Sequence, residues 1–126
     1  MSNKDINILV VEDNQKIRTL LCNILNNVGY KNLTEAENGK EAFEKLQKTR
    51  FDLVLTDWMM PEMSGLELLK AIRNGNNDFK KVPVLMITAS DSSEDVVEAA
   101  AAKVNGYIIK PFSVKTVVAK IEEVLS

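Results

Sequence analysis

The sequence predicts an α/β fold, a doubly wound parallel sheet of five strands with a helix after each. Three observations carry this. Short apolar, β-rich runs alternate with amphipathic helical patterns five times over. Most of these runs are apolar throughout, as strands covered by helices on both faces must be. The chain has 126 residues, enough to bury one full core but few for two. Strict alternation of this kind requires parallel pairing through right-handed crossovers, with helices on both sides of the sheet.

The first run, "INILVV" at 6–11, ends against the acidic pair Glu12-Asp13. Ile17, Leu20, Leu21, Ile24, Leu25 and Val28 then recur at helical spacing, with Asn14 as N-cap and Gly29 as the stop. The second run, "NLTEA" at 32–36, precedes a helix from about Asn38 to Lys48 that turns Ala42, Phe43 and Leu46 inward. The third, "FDLVLT" at 51–56, holds the buried triplet Leu53-Val54-Leu55 and delivers Asp57 to its C-terminal end. Pro61, Ser64 and Gly65 break the strand there. Ser64 and Glu67 stand at capping-box spacing and open a helix with Leu66, Leu69 and Ile72 inward, closed by Asn74 and Gly75. The fourth run, "VPVLMIT" at 82–88, leads to a helix capped by Ser92 or Ser93, whose alanines 99–102 are expected to pack closely on a neighbour. The fifth, "GYIIK" at 106–110, is followed by a helix capped by Ser113 with Val117, Val118, Ile121 and Val124 inward. With no linker, low-complexity segment or longer repeat, residues 1–126 are expected to form a single domain. Strand order 2-1-3-4-5 is taken over from the flavodoxin-like class, which has this element order.

Composition narrows the chemistry. The chain is 45% hydrophobic and 27% charged, with no apolar stretch near membrane-spanning length and no secretory signal at its start, so a cytoplasmic location is expected. The net charge is −2 and the 16 Lys and Arg are scattered, so nucleic-acid binding by this chain alone has no electrostatic footprint. Cys22 is the one cysteine and lies beside apolar helix residues, as a buried structural thiol does. The absence of histidine removes the usual general base and the commonest metal ligand. Carboxylates, hydroxyls and lysine are left to do the work.

In a parallel sheet the strand C-termini share one edge, where open α/β sheets keep their sites. The residues that meet there are Glu12, Asp13, Asp57, Thr88, Ala89, Lys110 and Pro111. Two carboxylates 5 Å apart repel by roughly 3 kcal/mol at an effective dielectric near 20. Three of them call for positive charge among them. Hard oxygen ligands without His or thiolate favour Mg2+, and Lys110 adds a second cation.

The motifs "ILVVEDN", "LTEAENGKEAFEKL", "LVLTDWMMPEMSGLELLKAIR", "VPVLMITA" and "NGYIIKPF" together resemble the response-regulator receiver domains of two-component signalling over essentially the whole chain, and most closely the stand-alone chemotaxis members. The resemblance implies a phosphorylation-activated signalling module rather than an enzyme. It implies that Asp57 accepts a phosphoryl group from a histidine kinase. Glu12, Asp13, Asp57 and the backbone carbonyl of Met59 would hold Mg2+, and Lys110 would pair with the phosphoryl oxygens. Thr88 would follow the phosphoryl group and Tyr107 would act as an aromatic switch. The bond before Pro111 would be cis. A target protein would dock on the face of the fourth helix, fifth strand and fifth helix, in chemotaxis or flagellar motor control, with the chain itself a monomer. Two departures stand out. Met59 occupies a position where close relatives carry asparagine, so Met59 and Ser90 are read as tuning phosphoryl lifetime. The fourth helix opens with "SDSSEDVV", acidic where motor-binding relatives are basic.

Other readings are a receiver of another two-component pathway or phosphorelay, cut from a longer regulator, and an Asp-nucleophile phosphatase. The latter needs a second Asp two residues after the first, where this chain has Met59. A flavodoxin-like electron carrier needs a hydroxyl-rich phosphate cradle, and "EDNQK" would repel a flavin phosphate.

Overall fold

The computed structural model describes residues 4–60, 62–75, 77–89 and 92–125; Pro61 and Ser90, both singled out in the sequence, lie outside them. The expected alternation is present as β1 (Asn7–Val11), α1 (Gln15–Asn27), β2 (Asn32–Ala36), α2 (Gly39–Lys48), β3 (Leu53–Asp57), α3 (Gly65–Asn74), β4 (Val84–Thr88), α4 (Ser93–Ala101), β5 (Gly106–Ile109) and α5 (Val114–Leu125). All strands pair in parallel in one sheet of order β2-β1-β3-β4-β5, with Val10 opposite Leu55, Asp57 opposite Ile87 and Thr88 opposite Ile109.

Side-chain alternation along the strands divides the core into two layers. Leu9, Val11, Val54, Val84 and Met86 meet Ala42, Leu46, Leu68, Leu69, Ile72 and Ala99 from α2, α3 and α4. Ile8, Val10, Leu53, Leu55, Leu85, Ile87 and Ile108 meet Leu21, Cys22, Leu25, Val117 and Ile121 from α1 and α5. The interior strands β3 and β4 are buried along their whole length, and β1 from Ile8 onward. The edge strands are not: Asn32 and Glu35 of β2 and Ile109 of β5 face solvent, because each edge has one neighbour only.

The helices start where polar side chains replace missing backbone partners. Asn14 Oδ1 accepts from Ile17 N–H (3.1 Å), Asn38 Oδ1 from Glu41 N–H (2.8 Å), Ser92 Oγ from Asp95 N–H (3.4 Å) and Ser113 Oγ from Thr116 N–H (3.1 Å). Ser64 and Glu67 form both halves of the capping box. Gly29 ends α1 at φ 109°, a backbone region open to glycine.

Two inward assignments are corrected, Leu20 and part of the alanine run. Leu20 is 51% exposed, because the buried stripe of α1 runs through Arg18, Leu21, Cys22 and Leu25 and leaves Leu20 beyond its margin. In α3 Leu66 packs partly against the core as expected, and Leu68 is fully buried beside it. Of the alanine run, Ala99 is buried and Ala102 packs partly against the same layer, but Ala100 and Ala101 face solvent, since a helix sends four consecutive residues to different sides. Cys22 is buried as expected, and burial pushes its thiol up to about 11, which leaves it unreactive. Among the described residues no helix is long and apolar enough to cross a membrane.

Candidate functional site

The strand order reverses between β2 and β3 around β1, which opens a crevice at the C-terminal edge of the sheet. Glu12 leaves β1 there, its N–H still bonded to Ala36 O at 3.1 Å. Asp57 is the last residue of β3, one place later than the run 51–56 suggested, and Thr88 is the last residue of β4. Lys110 follows β5; its N–H bonds to Thr88 O at 2.7 Å, and the Lys110–Pro111 peptide is cis.

Carboxylate oxygens of Glu12, Asp13 and Asp57 all lie within 4.8 Å of one another. Glu12 and Asp57 are buried, Asp13 is exposed. Lys110 Nζ stands 3.4 Å from Glu12 Oε1 and 3.4 Å from Asp57 Oδ2. One ammonium thus pairs with two of the three carboxylates. Burial pushes the Glu12 carboxyl up to about 7; the Asn14 N–H on its Oε2 works against this, the charge of Asp57 and a hydrogen bond with Asp13 reinforce it, and Lys110 offsets it slightly. A buried carboxyl raised in this way, beside two further carboxylates, leaves the edge able to take up positive charge. The donor set is all oxygen, converging within one ion's reach, and fits a hard divalent cation such as Mg2+.

The loop after β3 is pinned at both ends. Asp57 Oδ1 accepts from Trp58 N–H at 2.8 Å, and Trp58 O accepts from Gly65 N–H at 2.8 Å. A Cβ on Gly65 would overlap the Asp57 carbonyl oxygen and press on Met86 Sδ at 2.9 Å. Glycine is what lets α3 start this close to the strand. Met59 has its side chain in solvent, 72% exposed.

Thr88 and Met86 project to the same face of the sheet, and Met86 is opposite Tyr107. Tyr107 therefore stands half-buried two residue pairs below Thr88, its ring 6.4 Å from that of Trp58 in an edge-to-face arrangement. This ring contact links β5 to the residue after Asp57, and nothing in the linear sequence signals it. Arg18 was also missed. It is 7% exposed, bonded through Nη1 to Glu12 O (2.7 Å) and through Nε to Glu35 Oε1 (2.8 Å). Its position three and four residues before Leu21 and Cys22, on the inward stripe, was the available signal.

Residues 8–122 match the family described as the response regulator receiver domain. The chain is 45% identical over 122 residues to the chemotaxis protein CheY-3 of Vibrio cholerae, covering 97% of this chain and 93% of that one. It is 41% identical over 117 residues to the chemotaxis protein CheY of Pseudomonas aeruginosa, covering 93% and 94%. Among solved structures it resembles the chemotaxis response regulator CheY4 of Vibrio cholerae, with TM-score 0.88, 36% identity and coverage of 96% and 99%. The receiver domain of the Francisella response regulator 1452 gives TM-score 0.87, 30% identity and coverage of 96% and 97%.

Proposed function

This chain belongs to the response regulator receiver family, a family of phosphorylation-activated signalling modules, and from that membership we propose that Asp57 takes a phosphoryl group from a histidine kinase. The observation that carries this reading is the Asp57 carboxylate at the end of β3, 8% exposed, with Lys110 Nζ at 3.4 Å and the carboxylates of Glu12 and Asp13 close by. The carboxylates of Glu12, Asp13 and Asp57, with the Met59 backbone carbonyl, would hold Mg2+. When bound, the ion neutralises the nonbridging phosphoryl oxygens that would otherwise repel an attacking carboxylate.

The chain's own residues do the rest. Trp58 N–H occupies Asp57 Oδ1 and so fixes the carboxylate plane, leaving Oδ2 beside the ammonium of Lys110 as the nucleophile. Oδ2 forms a bond to phosphorus while the phosphorus–nitrogen bond of the donor phosphohistidine breaks, its electron pair leaving with the imidazole. Lys110 pairs with the oxygens that arrive. Thr88, at the end of the neighbouring strand, hydrogen-bonds the new phosphoryl group, and its movement makes room for Tyr107 to turn. Because Tyr107 packs on Trp58, the output face of α4, β5 and α5 is coupled to the acceptor residue. A target protein reads that face. The names of the Vibrio and Pseudomonas relatives support chemotaxis as the pathway.

Acetyl phosphate with Mg2+ is expected to add one phosphoryl group at Asp57, visible by intact-mass spectrometry, and EDTA to abolish it. Unchanged labelling of Asp57→Asn would sink the assignment.

A further inference from the structure

We propose that Arg18 is a positioning residue for the cation-binding edge, holding the peptide between Glu12 and Asp13 in the orientation that brings the Asp13 carboxylate to Asp57. The inference rests on the reading of that edge as a Mg2+ site. Three observations carry it. Arg18 is a charged side chain with 7% exposure on a helical stripe that is otherwise Leu21, Cys22 and Leu25, a place where an arginine persists only if its charge and N–H groups are matched. The matches are specific: Nη1 donates to Glu12 O at 2.7 Å and Nε to Glu35 Oε1 at 2.8 Å. Glu12 is also the point where β1 leaves the sheet, so its N–H has a ladder partner in Ala36 but its carbonyl oxygen is held by Arg18.

The geometry gives this bond its leverage. Asp13 is exposed, so no packing holds its side chain, and the direction in which it leaves the chain is set by the peptide plane before it. That plane carries the Glu12 carbonyl. Asn14 N–H ties the Glu12 side chain from the other side through Oε2 at 3.1 Å. Mg2+ requires near-ideal octahedral distances, good to about 0.2 Å, so a peptide free to swing would spread the ligands beyond what the ion accepts. Arginine suits the task because its planar fork reaches β1 and β2 at once: Glu35 fixes the guanidinium, and the guanidinium fixes the carbonyl. A lysine ammonium would reach one of the two.

The test is Mg2+ titration of the intact protein, followed by calorimetry and by the fluorescence of Trp58, the one tryptophan, adjacent to Asp57. Arg18→Met keeps the length and apolar stem and is expected to weaken Mg2+ about tenfold, the scale seen when outer partners of metal ligands are removed. Arg18→Lys should lose about threefold, since one of two contacts survives. In an Asp13→Asn background the same Arg18→Met change should cost less than about twofold, because the carboxylate that Arg18 aims is gone. A general loosening of the fold would cost the same in both backgrounds, and that result overturns the proposal. So does Arg18→Met binding Mg2+ within twofold of wild type. If Arg18→Met fails to fold, Arg18→Lys decides: wild-type affinity overturns the proposal and a threefold loss supports it. Wild-type protein that binds no Mg2+ brings down the site reading and this inference together; normal wild-type binding with unaffected Arg18 variants brings down this inference alone.

Discussion

Glu12 holds the clearest electrostatic tension in the molecule. Its carboxyl is raised to about 7 in the fold, chiefly by burial, against 4.5 as an ordinary value. A carboxyl whose folded pKa lies above its unfolded one keeps its proton in the fold while the unfolded chain ionises. Its contribution is therefore fully present below about pH 4.5 and is lost as pH rises towards 7, by an amount on the order of 3 kcal/mol. Urea midpoints measured in EDTA should fall between pH 5 and pH 8, and Glu12→Gln should flatten that fall; a slope retained in the variant would place the tension elsewhere. Met59 makes a second residue-scale prediction. Hydrolysis of the phosphorylated Asp57 needs a water in line with the bond being broken, and a thioether at the mouth offers such a water no hydrogen bond. Met59→Asn is expected to speed phosphoryl loss roughly tenfold, about 1.4 kcal/mol off the barrier. The measurement is decay at equal Mg2+, and equal or slower decay would show that a side chain 72% exposed stays out of the water's path.

Among the elements, the start of α3 is the tightest joint near the site. The chain leaves β3 at Asp57 and must return into a helix eight residues later, at Gly65, whose N–H bonds back to Trp58 O. The capping box of Ser64 and Glu67 starts the helix, but the close approach depends on Gly65 having no side chain. Gly65→Ala should displace α3 from the strand end, destabilise the protein by about 3 kcal/mol and slow labelling of Asp57. Chemical denaturation and acetyl phosphate kinetics on the same preparation read both effects. A loss under about 0.5 kcal/mol would mean that the joint gives more readily than backbone against backbone should. At the far end of the same helix Arg73 donates to the carbonyls of Lys103, Lys80 and Val82 and to Asn105 Oδ1, so α3 is also anchored to the loops that feed β4 and β5.

For the molecule as a whole, the site is a place where the fold works against itself when no cation is present. Three carboxylates converge, two of them on one ammonium, at an edge that parallel topology makes unavoidable. Asp57→Asn removes one of these charges and keeps the shape, so the cation-free variant should be more stable than wild type by about 1 to 2 kcal/mol. Saturating Mg2+ should shrink the gain, because the ion stabilises the wild-type fold partly through the carboxylate that the variant has given up. A urea series with and without Mg2+ checks both halves, and a less stable cation-free variant would mean that the carboxylates are not in conflict.

The order of strands and helices along the chain, three of the five helix starts to the residue, and the set Glu12, Asp13, Asp57, Thr88 and Lys110 at one edge were determined by the sequence alone. Periodicity and capping are properties of contiguous residues, and parallel pairing forces the strand ends together whatever the details of packing. The tertiary structure decided the rest. Leu20 satisfies the helical period yet faces solvent, while Arg18, polar by type, is buried, because which side of α1 meets the sheet depends on elements that come later in the chain. The Trp58–Tyr107 contact and the raised Glu12 carboxyl have the same origin. They arise where residues far apart in sequence pack together, and burial and Coulomb energy act through space, where a linear pattern carries no record of distance.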